Sequence, residues 1–100
     1  MANITSYIVQ VFGGPNGYKT NRSEIFLKNG IVGVGYIRFN DPGMAFEADF
    51  VSDNLVFMHL PSTMFQSVLD ILRNEKPLNI SFSGNNAFFT TNAEPIGEGE

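Results

Sequence analysis

Side chains that commonly carry catalysis are scarce in this chain. His59 is the only histidine, and there is no cysteine. One imidazole without a thiolate cannot supply the usual ligands of a zinc site, so we expect no metal and no cofactor. His59 lies in the apolar run 55–60 and shares a predicted strand face with Leu55 and Phe57. A histidine in that setting is typical of a structural side chain, and general acid or base chemistry is the alternative.

Two carboxylates stand close together in the sequence. Glu47 and Asp49 alternate with Phe46, Ala48 and Phe50, which is the pattern of a strand with one buried and one wet face. Neighbouring positions on one strand face lie about 7 Å apart, a spacing that suits paired catalytic carboxylates or a weak cation site. Solvated charges that guard an exposed strand have the same pattern. We predict that Glu47 and Asp49 are solvated charges of this kind. We assign no catalytic residue, so the chain is not expected to be an enzyme.

The run Val32–Phe39 is the most specific motif in the sequence. It reads Val-Gly-Val-Gly-Tyr-Ile-Arg-Phe and resembles the longer signature strand of the RNA-recognition motif family, in which a basic residue precedes alternating glycine and aromatic residues. The resemblance implies that Tyr36 stacks against a base. Val32 and Val34 depart from the family pattern, which has a basic and an aromatic residue there. Residues 13–23, where the family has a helix, show no helical periodicity.

The charge of the chain weighs against an anionic partner. The net charge is −4 and the isoelectric point is about 4.8, so we expect neither nucleic acid nor an anionic membrane to bind. Residues 1–38 hold four basic side chains and one acidic one, whereas the rest of the chain holds two and nine. Single-stranded nucleic acid bound on a sheet is the alternative. Its binding residues would be Tyr36, Phe39, Lys28 and Arg38.

A single helix is predicted, over about residues 62–75. Four apolar side chains recur at the spacing of one helix face, namely Phe65, Val68, Leu69 and Leu72. Met64 and Ile71 widen this apolar face, and Pro77 cannot continue the helix. The pattern therefore predicts an amphipathic helix whose buried face packs on the rest of the chain.

The remaining sequence is typical of strands and turns. Five strand-like segments precede the helix and two follow it, with short turns between nearly all of them. Asn29-Gly30 predicts a type I′ hairpin turn with Lys28 opposite Ile31. We predict an α+β fold, an antiparallel β-meander of about six to seven strands, strongly twisted or partly closed, with the helix packed on it. Residues 1–91 form this single domain, and residues 92–100 form a flexible acidic tail.

The apolar surface of the predicted strands is larger than one helix can cover. The segments 7–12, 31–39 and 55–60 are apolar on both strand faces. A helix about 20 Å long and about 10 Å wide covers only two or three strands spaced about 4.8 Å apart. Either the sheet closes on itself, or a second copy covers the remaining face. We predict a homodimer with Met64 and Ile71 at its interface.

These observations predict a small soluble non-catalytic binding or assembly protein that acts as a homodimer, and they leave room for a further protein partner. No membrane segment is expected, because no apolar run reaches the roughly 18 residues of a spanning helix. Besides nucleic-acid binding, the alternative is a small-molecule pocket between the helix and the sheet. The lack of cysteine and of a leader-like start predicts a cytoplasmic protein.

Overall fold

The computed structural model describes residues 2–91 and Ile96, and these contain eight strands and one helix. In chain order they are β1 (Ala2–Ile4), β2 (Ser6–Val11), β3 (Ser23–Asn29), β4 (Val32–Asn40), β5 (Phe50–Ser52), β6 (Leu55–Pro61), α1 (Phe65–Asn74), β7 (Leu78–Ser83) and β8 (Asn86–Thr91). A short 3-10 turn, Ser62–Met64, leads directly into α1. The predicted α+β class with one helix is confirmed. Apart from Ile96, the predicted tail over residues 92–100 lies outside the described residues.

The strands form two sheets rather than the single sheet that the sequence predicts. The larger sheet has the strand order β2-β3-β4-β6-β5, and the smaller has the order β1-β7-β8. Only Thr5 separates β1 from β2, so one extended segment passes from the smaller sheet into the larger one. Thr5 is fixed at this crossing because its hydroxyl accepts a hydrogen bond from the Gly30 amide and its own amide donates to the Lys28 carbonyl, each at 2.8 Å. Neither sheet closes into a barrel.

The predicted meander is interrupted at one place, because β4 and β6 are parallel. Residues 41–49 carry the chain from the end of β4 past the position of β6 to the outer edge of the sheet, where β5 begins. Asp53 and Asn54, both with positive φ, then form a two-residue turn into β6. Since β6 is apolar on both faces, its central place between β4 and β5 buries more of it than an edge would.

The hairpin between β3 and β4 has a different register from the predicted one. Asn29 pairs with Val32, so the turn residues are Gly30 and Ile31. Gly30 has a φ of 64° and Ile31 does not have a positive φ, which is the pattern of a type II′ turn. The predicted type I′ turn, with Lys28 opposite Ile31, is therefore wrong. A β-bulge further along this hairpin shifts the remaining pairs.

The core lies between one face of the five-stranded sheet, α1 and β7. Its buried apolar cluster consists of Ile25, Leu27, Ile37, Phe39, Val68, Leu72, Leu78 and Ile80. Phe65 at the start of α1 adds an edge-on contact with the Phe39 ring, with the centroids 5.1 Å apart. Because successive side chains of a strand point to opposite faces, the alternate residues of β3, β4 and β6 form the opposite face of the sheet. We call this the outer face, and Glu24, Arg38 and His59 lie on it.

Candidate functional site

A row of polar side chains crosses the outer face. Glu24 of β3 is paired with Arg38 of β4, and Arg38 is paired with His59 of β6. The Arg38 Nε atom lies 3.4 Å from Glu24 Oε1, and its guanidinium carbon lies 4.7 Å from the centroid of the Phe57 ring. An arginine that is both ion-paired and placed over an aromatic ring is strongly held. The parallel pairing of β4 and β6 brings these residues together.

His59 is the most enclosed group of this polar row. Its side chain is 1% exposed, and a carboxylate lies beside each ring nitrogen. Glu47 Oε1 is 3.3 Å from Nε2, and Asp49 Oδ1 is 3.7 Å from Nδ1. Neither contact has hydrogen-bond geometry, so both nitrogens are without a hydrogen-bond partner in the part of the chain that the structure describes. The Phe50 ring stacks beside the imidazole, with the centroids 5.8 Å apart.

The two carboxylates reach His59 from an irregular segment and not from a strand. The predicted strand over residues 46–50 is wrong, because residues 45–49 have no strand pairing and β5 begins only at Phe50. The start of the segment is fixed at Asp41, whose carboxylate accepts hydrogen bonds from Ser62 Oγ and Arg22 Nε, each at 2.7 Å. These hydrogen bonds, that from Ser62 first, lower the pKa of Asp41.

Asp49 joins the two sheets through its carboxylate. Its Oδ1 accepts a hydrogen bond from the backbone amide of His59 at 2.8 Å, and its Oδ2 accepts one from the backbone amide of Ala87 at 3.0 Å. His59 belongs to β6 and Ala87 to β8, so one side chain bridges the larger and the smaller sheet. Hydrogen bonds to a charged acceptor are about twice as strong as neutral ones. Asp49 therefore has a structural role, in contrast to the solvated charge that its sequence pattern predicts.

Burial sets the charge state of His59. Enclosure in the protein is the largest influence, and it lowers the pKa of the imidazole below its ordinary value of 6.5. The negative charges of Glu47 and Asp49 oppose this change, whereas the positive charge of Arg38 reinforces it. His59 is accordingly neutral at neutral pH. A neutral imidazole donates from only one nitrogen, so it cannot bond to both carboxylates until it takes up a proton.

We expect the fold to lose stability when the pH falls below 6.5, the ordinary pKa of histidine. In that range the unfolded chain protonates His59 before the folded chain does, so the free energy of unfolding decreases until the lower folded-state pKa is reached. Since the chain has no other histidine, His59→Gln should remove this dependence in urea unfolding. An NMR titration of the wild-type ring measures the pKa itself, and a value above 6.5 would contradict the effect of burial described above.

Beside the polar row, four stacked aromatic rings cross the same face. In order across β3, β4, β6 and β5 they are Phe26, Tyr36, Phe57 and Phe50. Successive ring centroids are 4.7, 5.2 and 4.5 Å apart, and the rings are inclined to one another by 21°, 12° and 12°. Gly33 leaves room for this row, because a Cβ atom there would lie 2.6 Å from Phe26 Cζ. The two inner rings have both faces covered by their neighbours.

The residues predicted for nucleic-acid binding do not form one exposed surface. Tyr36 is an inner ring of the aromatic row, whereas a base needs an open ring face on which to stack. Phe39 does not share the outer face, because it is completely buried in the core. Arg38 is paired with an acidic neighbour, and Lys28 is half-buried.

The two residues that the sequence predicts at a dimer interface lie in α1 (Ile71) and in the 3-10 turn before it (Met64). Val68, Leu69 and Leu72 are buried against the core, whereas Met64 and Ile71 are exposed. Their side chains are therefore accessible to a second protein. Whether they contact one remains a prediction.

One of the two edges of the larger sheet, the one opposite β5, is the apolar strand β2, which the sequence does not identify as an edge. Among the described residues, β2 pairs with β3 only, and Ser6–Val11 contains no charged side chain. Ile8, Val9 and Val11 are 50%, 36% and 69% exposed. Edge strands usually carry charges, proline or bulges that prevent pairing with another chain, and β2 has none of these. The sequence shows that this strand has apolar residues on both faces, but only the strand order shows that one of its two edges has no neighbouring strand.

A cleft of about 480 Å³ lies between the C-terminal half of α1 and the junction of β1 with β2. It is lined by residues 4–7, by residues 72–76 and by Leu78. Within the described ranges, no group of histidine and carboxylate side chains is arranged to hold a metal ion. No helix in the same residues is long and apolar enough to cross a membrane.

Comparisons of the chain with protein-family models, with curated proteins and with solved structures gave no match.

Proposed function

We propose that this chain is a non-catalytic binding or assembly protein that works as a homodimer. The observation that supports this most directly is β2, an uncharged strand that exposes apolar side chains on both faces, Ile8 on one and Val9 and Val11 on the other, and lies at an open sheet edge. Burial of apolar surface contributes roughly 25 cal/mol per Å², and an edge strand also offers unpaired backbone groups. At a two-fold interface each copy contributes the same strand, so both effects occur twice. The cytoplasm is the proposed location, because the chain has no cysteine.

The placement of the titratable groups supports a non-catalytic role. A general acid or base must come within hydrogen-bonding distance of the proton that it transfers. His59 is enclosed by the 41–49 segment, and the carboxylate of Asp49 already accepts two backbone hydrogen bonds. Both residues are therefore better suited to holding the two sheets together than to reaching a substrate.

Small-molecule binding is the second candidate, and the cleft beside α1 is the observation that favours it. Its volume of about 480 Å³ falls within the range of known ligand sites, roughly 300–1,000 Å³. We place it second because the outward edge of the apolar strand β2 would have no partner in such a monomer. Single-stranded nucleic acid ranks third, since the net charge is negative and the Tyr36 ring is covered on both faces.

Light scattering coupled to size-exclusion chromatography tests the proposed function. We expect a mass of about twice the subunit mass of 11.0 kDa at micromolar concentration. A labelled single-stranded oligonucleotide at physiological salt serves as the test of the third candidate, and we expect no binding. A mass that stays at 11.0 kDa up to the highest soluble concentration would rule out the homodimer. Oligonucleotide binding that Tyr36→Ala weakens would favour the nucleic-acid function instead.

A further inference from the structure

We infer that the second copy docks on the free edge of β2, antiparallel to the first, with the two-fold axis passing beside Val9. The inference rests on the proposed function, because it takes a homodimer as given and assigns its interface. The pairing would join two five-stranded sheets into one continuous sheet.

The hydrogen bonds of β2 to β3 determine which of its backbone groups are free. The Phe12 amide donates to the Arg22 carbonyl at 2.8 Å, and the β2–β3 register continues from this pair without a bulge. In an antiparallel pair, hydrogen-bonded and non-hydrogen-bonded positions alternate. Even-numbered residues of β2 therefore bond to β3, and the amides and carbonyls of Tyr7, Val9 and Val11 point away from the sheet.

These outward amides and carbonyls can form hydrogen bonds with the same groups of a second subunit. When Val9 lies opposite Val9 of the partner subunit, Tyr7 lies opposite Val11 of the partner subunit, and the reverse pair follows by symmetry. Each of these pairs is of the hydrogen-bonded type, in which both residues donate and accept one backbone bond. The contact is isologous, as a closed dimer requires. An axis at any other residue would leave outward groups at the ends of β2 without partners.

The side chains of β2 suit the same arrangement. Val9 and Val11 lie on the core side of the sheet and Ile8 lies on the outer face, so pairing covers apolar surface on both sides. β-branched residues pack well on a pleated surface. No residue of β2 is charged, so no like charges meet across the axis.

The other sheet edges in the described part of the chain are less suited to pairing with a second copy. β1 and β5 have three residues each, which is too short for a stable pairing with a second copy. β8 has six residues, but the Ala87 amide on it already donates to Asp49. Within these residues, β2 is therefore the longest edge whose outward groups have no described partner.

The substitution Val9→Lys tests this interface. Two lysines directly opposite each other across the axis repel, whereas the side chain is already 36% exposed in the subunit, so the fold should tolerate the change. Val51→Lys is the matched control, because it makes the same substitution at a residue that is 49% exposed on the opposite edge strand, β5. We expect Val9→Lys to raise the dimer dissociation constant at least tenfold, about 1.4 kcal/mol, and Val51→Lys to leave it unchanged.

The outcomes distinguish two claims, that the chain is a homodimer and that β2 forms its interface. A monomeric wild type overturns the proposed function, and the interface with it. A dimeric wild type whose Val9→Lys variant is equally dimeric overturns only the interface, and dissociation by Ile71→Glu would then place the contact on the helix. If circular dichroism shows that Val9→Lys unfolds, Val11→Pro decides, since proline is tolerated at an edge where the amide faces solvent. A Val11→Pro variant with unchanged dimer affinity also overturns the interface.

Discussion

We expect Asp49→Ala to lower the free energy of unfolding by about 3 kcal/mol. The substitution leaves the backbone amides of His59 and Ala87 without their acceptor, and each unsatisfied buried donor costs roughly 1–3 kcal/mol. It also removes the side chain that bridges β6 to β8, so the two sheets lose a direct connection. Urea unfolding with linear extrapolation measures the change.

Glu47→Ala is the control for that prediction. It removes the other carboxylate beside His59, but Glu47 is 60% exposed and its contact with the imidazole is not a hydrogen bond. Surface substitutions of this kind usually change stability by less than about 0.5 kcal/mol. If Asp49→Ala lowered the free energy of unfolding no more than Glu47→Ala does, the carboxylate of Asp49 would not be a bridge between the sheets.

We expect Gly35→Ala to have the second large effect, a decrease of about 2 kcal/mol or more in the free energy of unfolding. A Cβ atom at Gly35 would lie 2.7 Å from the Val56 carbonyl oxygen and 3.2 Å from Ile80 Cδ1. Val56 is the partner of Gly35 in the parallel β4–β6 pair, so the clash is with backbone that cannot move without breaking the ladder. Thermal and urea unfolding both report the loss.

Gly33→Ala, two residues away on the same strand, is the matched control. Its Cβ would meet the ring of Phe26 at 2.6 Å, and a side chain can turn aside more easily than a neighbouring strand. We therefore expect a smaller loss of stability together with a changed near-ultraviolet circular dichroism signal from the aromatic row. A larger loss of stability for Gly33→Ala than for Gly35→Ala would mean that the β6 backbone moves to accommodate the added Cβ atom more easily than the geometry indicates.

Local patterns predict the helix well because its determinants are local. The spacing of Val68, Leu69 and Leu72 defines a buried face, and Pro77 limits the C-terminal end. The alternation around Glu47 and Asp49 misleads for the opposite reason. Periodicity reports which side chains are apolar, but it does not report whether a backbone partner exists. In the structure the Asp49 carboxylate binds the His59 amide where a neighbouring strand would otherwise pair.

The candidate surfaces depend on register and strand order, which the sequence does not encode locally. The rings of Phe26 and Tyr36 come together only because a bulge shifts the β3–β4 hairpin. The parallel entry of β6 then places Phe57 and His59 on the same face. The apolar character of β2 is evident in the sequence, but its edge position follows from the arrangement of four other strands.

Amide hydrogen exchange along β2 tests the central claim most directly. In an isolated subunit, the amides of Ile8 and Gln10 are bonded to β3 while those of Tyr7, Val9 and Val11 face water. We predict that Val9 and its two outward neighbours are protected at concentrations where light scattering gives a dimer, and that the protection is lost on dilution. Free exchange at Val9 in a solution that is demonstrably dimeric would contradict a homodimer built on this strand.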